Sequence, residues 1–218
     1  MAGAGNSQEE LEKLRSAAES GDSETCADVI PLLFTHIDAH VAIQFVVAQA
    51  QDFLPTFEKQ NPEITWPREV ILAVEKLEPI NVTDPKFRFF EESRVDDSNG
   101  IPIPSALPFV NAMECLRFVP QRYHDRDKQE WYEQGALDVG MAFFNIVEAQ
   151  MWSDWAAAAP SEYLTYWTGR GDEATLDEYV QSLEIFRESA DRKRCHRTRF
   201  LAAADELEKL LSGSNNDS

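Results

Sequence analysis

Apolar residues recur along most of the chain at steps of three and four, the period of a helix with one buried face. Ser7 and Glu10 have the spacing of a capping box and open a helix that runs to about residue 20, where Gly21 closes it. Asp22 or Ser23 starts a second helix carrying Val29, Ile30, Leu32, Leu33 and Phe34, which Pro31 is expected to bend. Asp38 caps a third, over 39–53. Its run of Val41, Ala42, Ile43, Phe45, Val46, Val47 and Ala48 is apolar nearly all round, so this helix is expected at the centre of the core, ended or kinked by Pro55. Pro67 suits the first turn of a fourth helix with Val70, Ile71, Val74 and Leu77 on one side.

The helical pattern fails over residues 79–105, where four prolines surround the turn Asp96–Gly100. A connection of this length in a folded domain is often functional or disordered. Lys86–Phe89 alternates like a short strand, and Phe87, Phe89 and Phe90 either tuck under the loop as a satellite core, the commoner case, or present an apolar anchor to a partner. Ser105 caps a helix over 106–118 in which Asn111, Glu114 and Arg117 make a narrow polar stripe, and Pro120 terminates it. A long helix is expected over about 127–158, with Leu137, Met141, Phe144, Met151 and Trp155 on one face and Gly135 and Gly140 making room for a neighbour. A short helix follows Ser161. Thr175 and Glu178 form a second capping box, and two helices or one long helix interrupted at a basic gap reach residue 211.

These elements predict an all-α protein, a compact bundle or short helical stack of eight or nine helices. Its parts are a flexible residue 1–6 segment, one domain over 7–211 (with sub-units 7–80 and 105–211) and a flexible 212–218 tail. The segment VIPLLFTHIDAHVAIQFVVAQA (29–50) reads as a helix end, a turn and the start of an antiparallel partner, and WPREVILAVEKL (66–77) follows about 40 residues later. It is similar to a unit of the HEAT family of helical repeats. That resemblance implies a curved scaffold that binds proteins, although Ala42 stands where such units often carry an arginine after the turn.

Charge narrows the functional classes. The chain has 39 acidic and 20 basic residues, a net charge of -19. A field of this sign disfavours nucleic acid and anionic lipid and favours basic protein partners. Residues 131–186 hold ten acids against the single base Arg170, amid eight Trp and Tyr residues. Asp138, Glu148, Trp152, Asp154, Trp155, Glu162 and Tyr166 are therefore the expected binding face, an acidic and aromatic surface for a basic partner. Glu148, on the apolar stripe, is expected to be partly buried. Arg192, Lys193, Arg194 and Arg197, with His196 and Arg199, form a basic patch expected to pair with the protein's own acids or with a second copy. Cys26, Cys115 and Cys195 form no close pair and read as reduced thiols. No apolar run reaches membrane-spanning length, and no signal-peptide pattern opens the chain; a cytoplasmic location is expected.

Evidence for catalysis is thinner. His36 and His40 are four apart, a metal-ligand spacing on one helix, but Asp38 reads as a helix start between them. His124-Asp125 resembles the dyad of the HD phosphohydrolases, which are helical and use His and Asp ligands; an N-cap role for Asp125 is the simpler reading. No phosphate loop, nucleophile elbow or zinc-protease motif is present, and no cofactor is implied. The expected function is a non-catalytic acidic adaptor or inhibitor that docks a basic protein. The alternatives are a metal-dependent hydrolase built on His36, His40, His124 and Asp125, and a structural subunit forming homo-oligomers.

Overall fold

A computed structural model describes residues 4–62, 64–81, 105–124, 134–158 and 190–214, and all of their regular structure is helical. Helix α1 spans Ala4–Ser20, α2 Ser23–Phe34, α3 Ala39–Gln60, α4 Trp66–Glu75, α5 Ala106–Leu116, α6 Val119–His124, α7 Ala136–Ala158 and α8 Ala190–Ser214. Seven of these have ten or more residues and α6 has six, close to the eight or nine expected.

Short-range chemistry sets several helix ends where the sequence placed them. Asp22 caps α2 by accepting from the Thr25 amide at 3.0 Å and the Thr25 hydroxyl at 2.6 Å. Asp38 caps α3 through the amides of His40 and Val41. Gly21 closes α1 at φ +80°, a left-handed conformation that glycine adopts without a Cβ clash. Leu77 takes the same role after α4 at φ 55°, where the Glu78 amide donates back to the Ala73 carbonyl at 2.8 Å.

Four expectations need correction. Helix α1 begins at Ala4, so Ser7 lies inside it rather than at its N-cap; Glu10 accepts from the Asn6 amide at 3.3 Å and meets His36 of the α2–α3 turn at 3.1 Å. Helix α3 continues past Pro55 to Gln60, so Pro55 does not end it; Pro55 and Gln51, whose carbonyl loses its amide partner, are both on the solvent side. Pro120 opens α6 rather than merely ending α5. Helix α8 continues without a break through its basic stretch.

The centre of the bundle also differs. Val41, Gln44, Ala48, Gln51 and Asp52 of α3 are exposed, so α3 is amphipathic and peripheral. The central helix is α7, which packs against α2, α3, α5 and α8. Its Val139, Ala142, Phe143, Ile146, Val147, Ala149 and Met151 are buried over more than half of its circumference. Each large side chain contributes about 1.5–3 kcal/mol by leaving water. Gly140 lets α2 come close: a Cβ there would lie 2.5 Å from the Pro31 Cα.

This arrangement is a bundle wrapped on one helix. Helices α2 and α3 make few contacts with each other, so residues 29–50 do not form the paired helices that the HEAT resemblance implied. The polar stripe of α5 (Asn111, Glu114 and Arg117) is half-exposed as expected. The expected loop strand, Phe87, Phe89 and Phe90, the short helix after Ser161 and the Thr175 capping box lie outside the described residues.

Candidate functional site

A cleft of about 420 Å³ opens between α3, α7 and α8. Its floor is apolar and nearly sealed: Phe53, Phe143, Val147 and Ala203 are each under a tenth exposed. Its walls are polar. Helix α3 supplies Gln49, Asp52 and Thr56 at helical spacing; α7 supplies Gln150, Ser153 and Asp154; α8 supplies Arg199 and Glu206. The volume is in the range of small-ligand sites, which commonly join an apolar body to a few placed polar groups.

The charges in the cleft are unevenly satisfied. Arg199 forks onto Asp154, with Nε 2.6 Å and Nη2 2.9 Å from the two carboxylate oxygens. Among the described residues Glu206 receives only the Gln49 amide, at 3.3 Å. Burial raises the Glu206 carboxyl above its ordinary pKa, and the opposing pull of Lys209 and Arg199 is smaller. Asp52, at the exposed lip, makes no ion pair among the described residues. The lining thus holds three carboxylates and one guanidinium, and that guanidinium is already engaged.

The expected acidic and aromatic face is arranged differently. Trp152 and Trp155 are 7% and 2% exposed and meet edge to face with centroids 5.7 Å apart, so they build core rather than a docking surface. Asp154 is held by Arg199. Asp138, at the other end of α7, pairs with Arg122 at 2.9 Å and accepts from Gln134 at 3.1 Å; burial nevertheless raises its carboxyl pKa. Glu148 is half-buried, as its place on the stripe suggested. Glu162 and Tyr166 lie outside the described residues. Of this group, Asp154 alone lines the cleft.

The basic patch of α8 is divided: Arg192 and His196 turn inward, whereas Lys193, Arg194 and Arg197 are exposed. Arg192 is 8% exposed, donates to the Ser23 hydroxyl at 3.2 Å and stacks over Trp152 at 5.4 Å. Arg194 pairs with Asp191, and Arg197 reaches Glu19 at 4.0 Å. Lys193 is exposed and packs near Gly21. His196 is fully buried, stacked on Phe200 with centroids 4.4 Å apart. Burial lowers its pKa to about 4, aided by neighbouring Arg192 and opposed only weakly by the Ala18 backbone and by Asp22.

The remaining histidines are dispersed. His36 pairs with Glu10, His40 lies 2.9 Å from Gln44 on the surface, and His124 donates to the Leu77 carbonyl at 2.8 Å. Asp125 lies outside the described residues. Among the described residues no group of three or more His, Cys, Asp or Glu side chains is placed to hold a metal ion. The Cys26 and Cys115 thiols are pushed up to about 12, first by burial, so both stay protonated and unreactive.

Sequence reasoning missed Gln49, Asp52 and Glu206. The polar spacing of Gln49, Asp52 and Thr56 was a legible signal within a stretch read as apolar all round; Glu206 gave none, because its partner in the cleft is 157 residues away. No protein-family model, curated protein or solved structure matches the chain, and no helix among the described residues is long and apolar enough to cross a membrane.

Proposed function

We propose that the protein is a non-catalytic acidic module that docks a basic protein surface. One observation supports this reading above others: the arginines that could neutralise the surface are engaged by the molecule's own groups, which leaves five exposed lysines among the described residues. Every described arginine has an internal partner. Arg15 holds Asp205 and Glu208, Arg68 holds Glu58, Arg117 holds Glu114, and Arg122 and Arg199 hold the two aspartates of α7. Exposed Glu9 and Glu12 on α1, Glu24 and Asp28 on α2, Asp52 on α3, and Glu75 and Glu78 beside α4 meet no cation among the described residues. Helices α1 and α2 pack together, which gathers four of these seven on adjoining helices.

An uncompensated field of one sign accelerates encounter with an oppositely charged partner and repels nucleic acid. The described residues hold 21 acids against 13 bases; 18 acids and 7 bases lie in the rest of the chain and add to the same sign. The aromatic anchors first expected on α7 are buried, so the attraction rests on these carboxylates.

The test is capture from the native cells on immobilised protein, eluted with rising salt. A partner of net positive charge is expected, released between about 0.1 and 0.5 M salt as screening shortens the field. A variant with Glu9, Glu12, Glu24 and Asp28 changed to glutamine should release it at lower salt. An acidic partner, or equal retention by the variant, contradicts the proposal.

A further inference from the structure

We propose that helix α1 is an acid-released strap: a proton on His196 frees it from α2 and α8 while the bundle around α7 stays folded. His196 is sealed against α1 near the Ala18 backbone and stacked on Phe200, and neither ring nitrogen makes a full hydrogen bond among the described residues. A proton there places a second positive charge beside Arg192, itself 8% exposed and held between the Ser23 hydroxyl and the Trp152 ring. The neighbouring elements offer that charge little. Asp22 of the α1–α2 turn is engaged by the Thr25 amide and hydroxyl and favours the proton only weakly. Glu19 of α1 reaches outward to Arg197, Asp154 of α7 is held by Arg199, and Glu148 of α7 acts on the Cys26 thiol. Water is the solvent left for the charged ring, and it arrives when α1 lifts.

Helix α1 is built to lift. It packs on α2 and α8 and makes few contacts with the central α7. Its described buried side chains are small in sum: Leu11, Leu14, Ala17 and Ala18. Gly21, at φ +80°, gives a pivot at its end. The ties of Arg15 to Asp205 and Glu208 and of Glu19 to Arg197 are solvent-screened, and each needs an ionised carboxylate. The Glu10–His36 pair is the exception, since a proton on that imidazole tightens it. Burial first, then Arg192, holds the folded His196 at about 4 against an ordinary 6.5. Between these values the open form binds more protons, so lowering pH from about 7 to about 4 favours opening roughly a hundredfold. Release also parts Glu9 and Glu12 from Glu24 and Asp28 and so splits the acidic docking face; that consequence alone rests on the proposed function.

The experiment is amide hydrogen exchange of the full chain at steps from about pH 7 to about pH 4, with each rate corrected for the intrinsic pH dependence of exchange. The α1 amides of residues 11–18 should gain roughly a hundredfold in opening, while the α7 amides of residues 139–149 stay protected. His196→Phe keeps a ring on Phe200 without a titrating group and should cut the α1 gain to less than about tenfold, the remainder belonging to the screened carboxylate ties. The parent protein alone tests the strap, through the order in which α1 and α7 open, and the variant assigns the release to His196. The proposal is overturned if α1 and α7 open together, if α1 stays protected at the lowest pH, or if His196→Phe keeps the full gain. No partner enters the measurement, so its result is independent of the capture experiment.

Discussion

Helix α8 carries three titratable side chains that burial drives toward neutrality, Cys195, His196 and Glu206, and the last two sit in opposite surroundings. His196 is sealed beside α1, stacked on Phe200, with neither ring nitrogen in a full hydrogen bond among the described residues. Glu206, ten residues on, faces α3 across an open cleft and keeps one amide contact. Both pKa values move for the same first reason, the cost of a charge away from water. A shifted pKa therefore does not by itself mark a functional group. Access separates the two: nothing can reach His196 without opening the bundle, whereas a cation can reach Glu206 by entering the cleft.

The largest effects are expected on the sealed side. Phe200→Ala leaves a void beneath His196 and should cost about 3–5 kcal/mol in chemical denaturation, since Phe200 has no exposed surface. Acid should break the same region. His196 has an ordinary pKa of 6.5 and a folded value of about 4, so between these values the unfolded chain binds more protons. Stability from this residue is full above about pH 6.5, falls as pH is lowered toward 4, and changes no further below that; the total is about 3 kcal/mol. His196→Phe keeps an aromatic ring on Phe200 and removes the titration. The difference between its stability–pH curve and the parent's should follow that window, and parallel curves would show that His196 is not buried in the neutral form.

Smaller effects are expected on the open side. Arg199→Ala releases Asp154, but both side chains are more than a third exposed, and solvent screening should hold the loss below about 1 kcal/mol. Glu206→Gln should be the mildest in stability, within about 0.5 kcal/mol, because the amide still accepts from Gln49 and the unfavourable charge is gone. A loss of several kcal/mol there would mean that Glu206 is a structural group and that the contrast between the two sides of α8 is false.

The parts of this molecule legible from sequence are those decided within one or two turns. The Asp22 and Asp38 caps, Pro67 at the start of α4, Gly21 at the end of α1 and the half-exposed stripe of α5 all depend on near neighbours. The Ser7–Glu10 spacing did not mark the helix start, because α1 already begins at Ala4. The central helix was misplaced for a related reason. Residues 39–53 and 136–158 are both rich in apolar side chains, and what makes α7 central is that α2, α3, α5 and α8 converge on it, with Gly140 admitting α2. The aromatic residues of α7 looked like a docking face because composition cannot tell an inward indole from an outward one. The cleft joins positions on three helices far apart in the chain, so only its α3 wall, Gln49, Asp52 and Thr56, left a trace in the periodicity.

The most direct test of access as the dividing property follows the Glu206 carboxyl carbon and the His196 ring by NMR, with pH and with a soluble paramagnetic cation as probe. The structure predicts a Glu206 pKa raised above its ordinary value and broadening of Glu206 by the probe, with the His196 ring untouched. An ordinary Glu206 pKa, or equal broadening of the two residues, would contradict it.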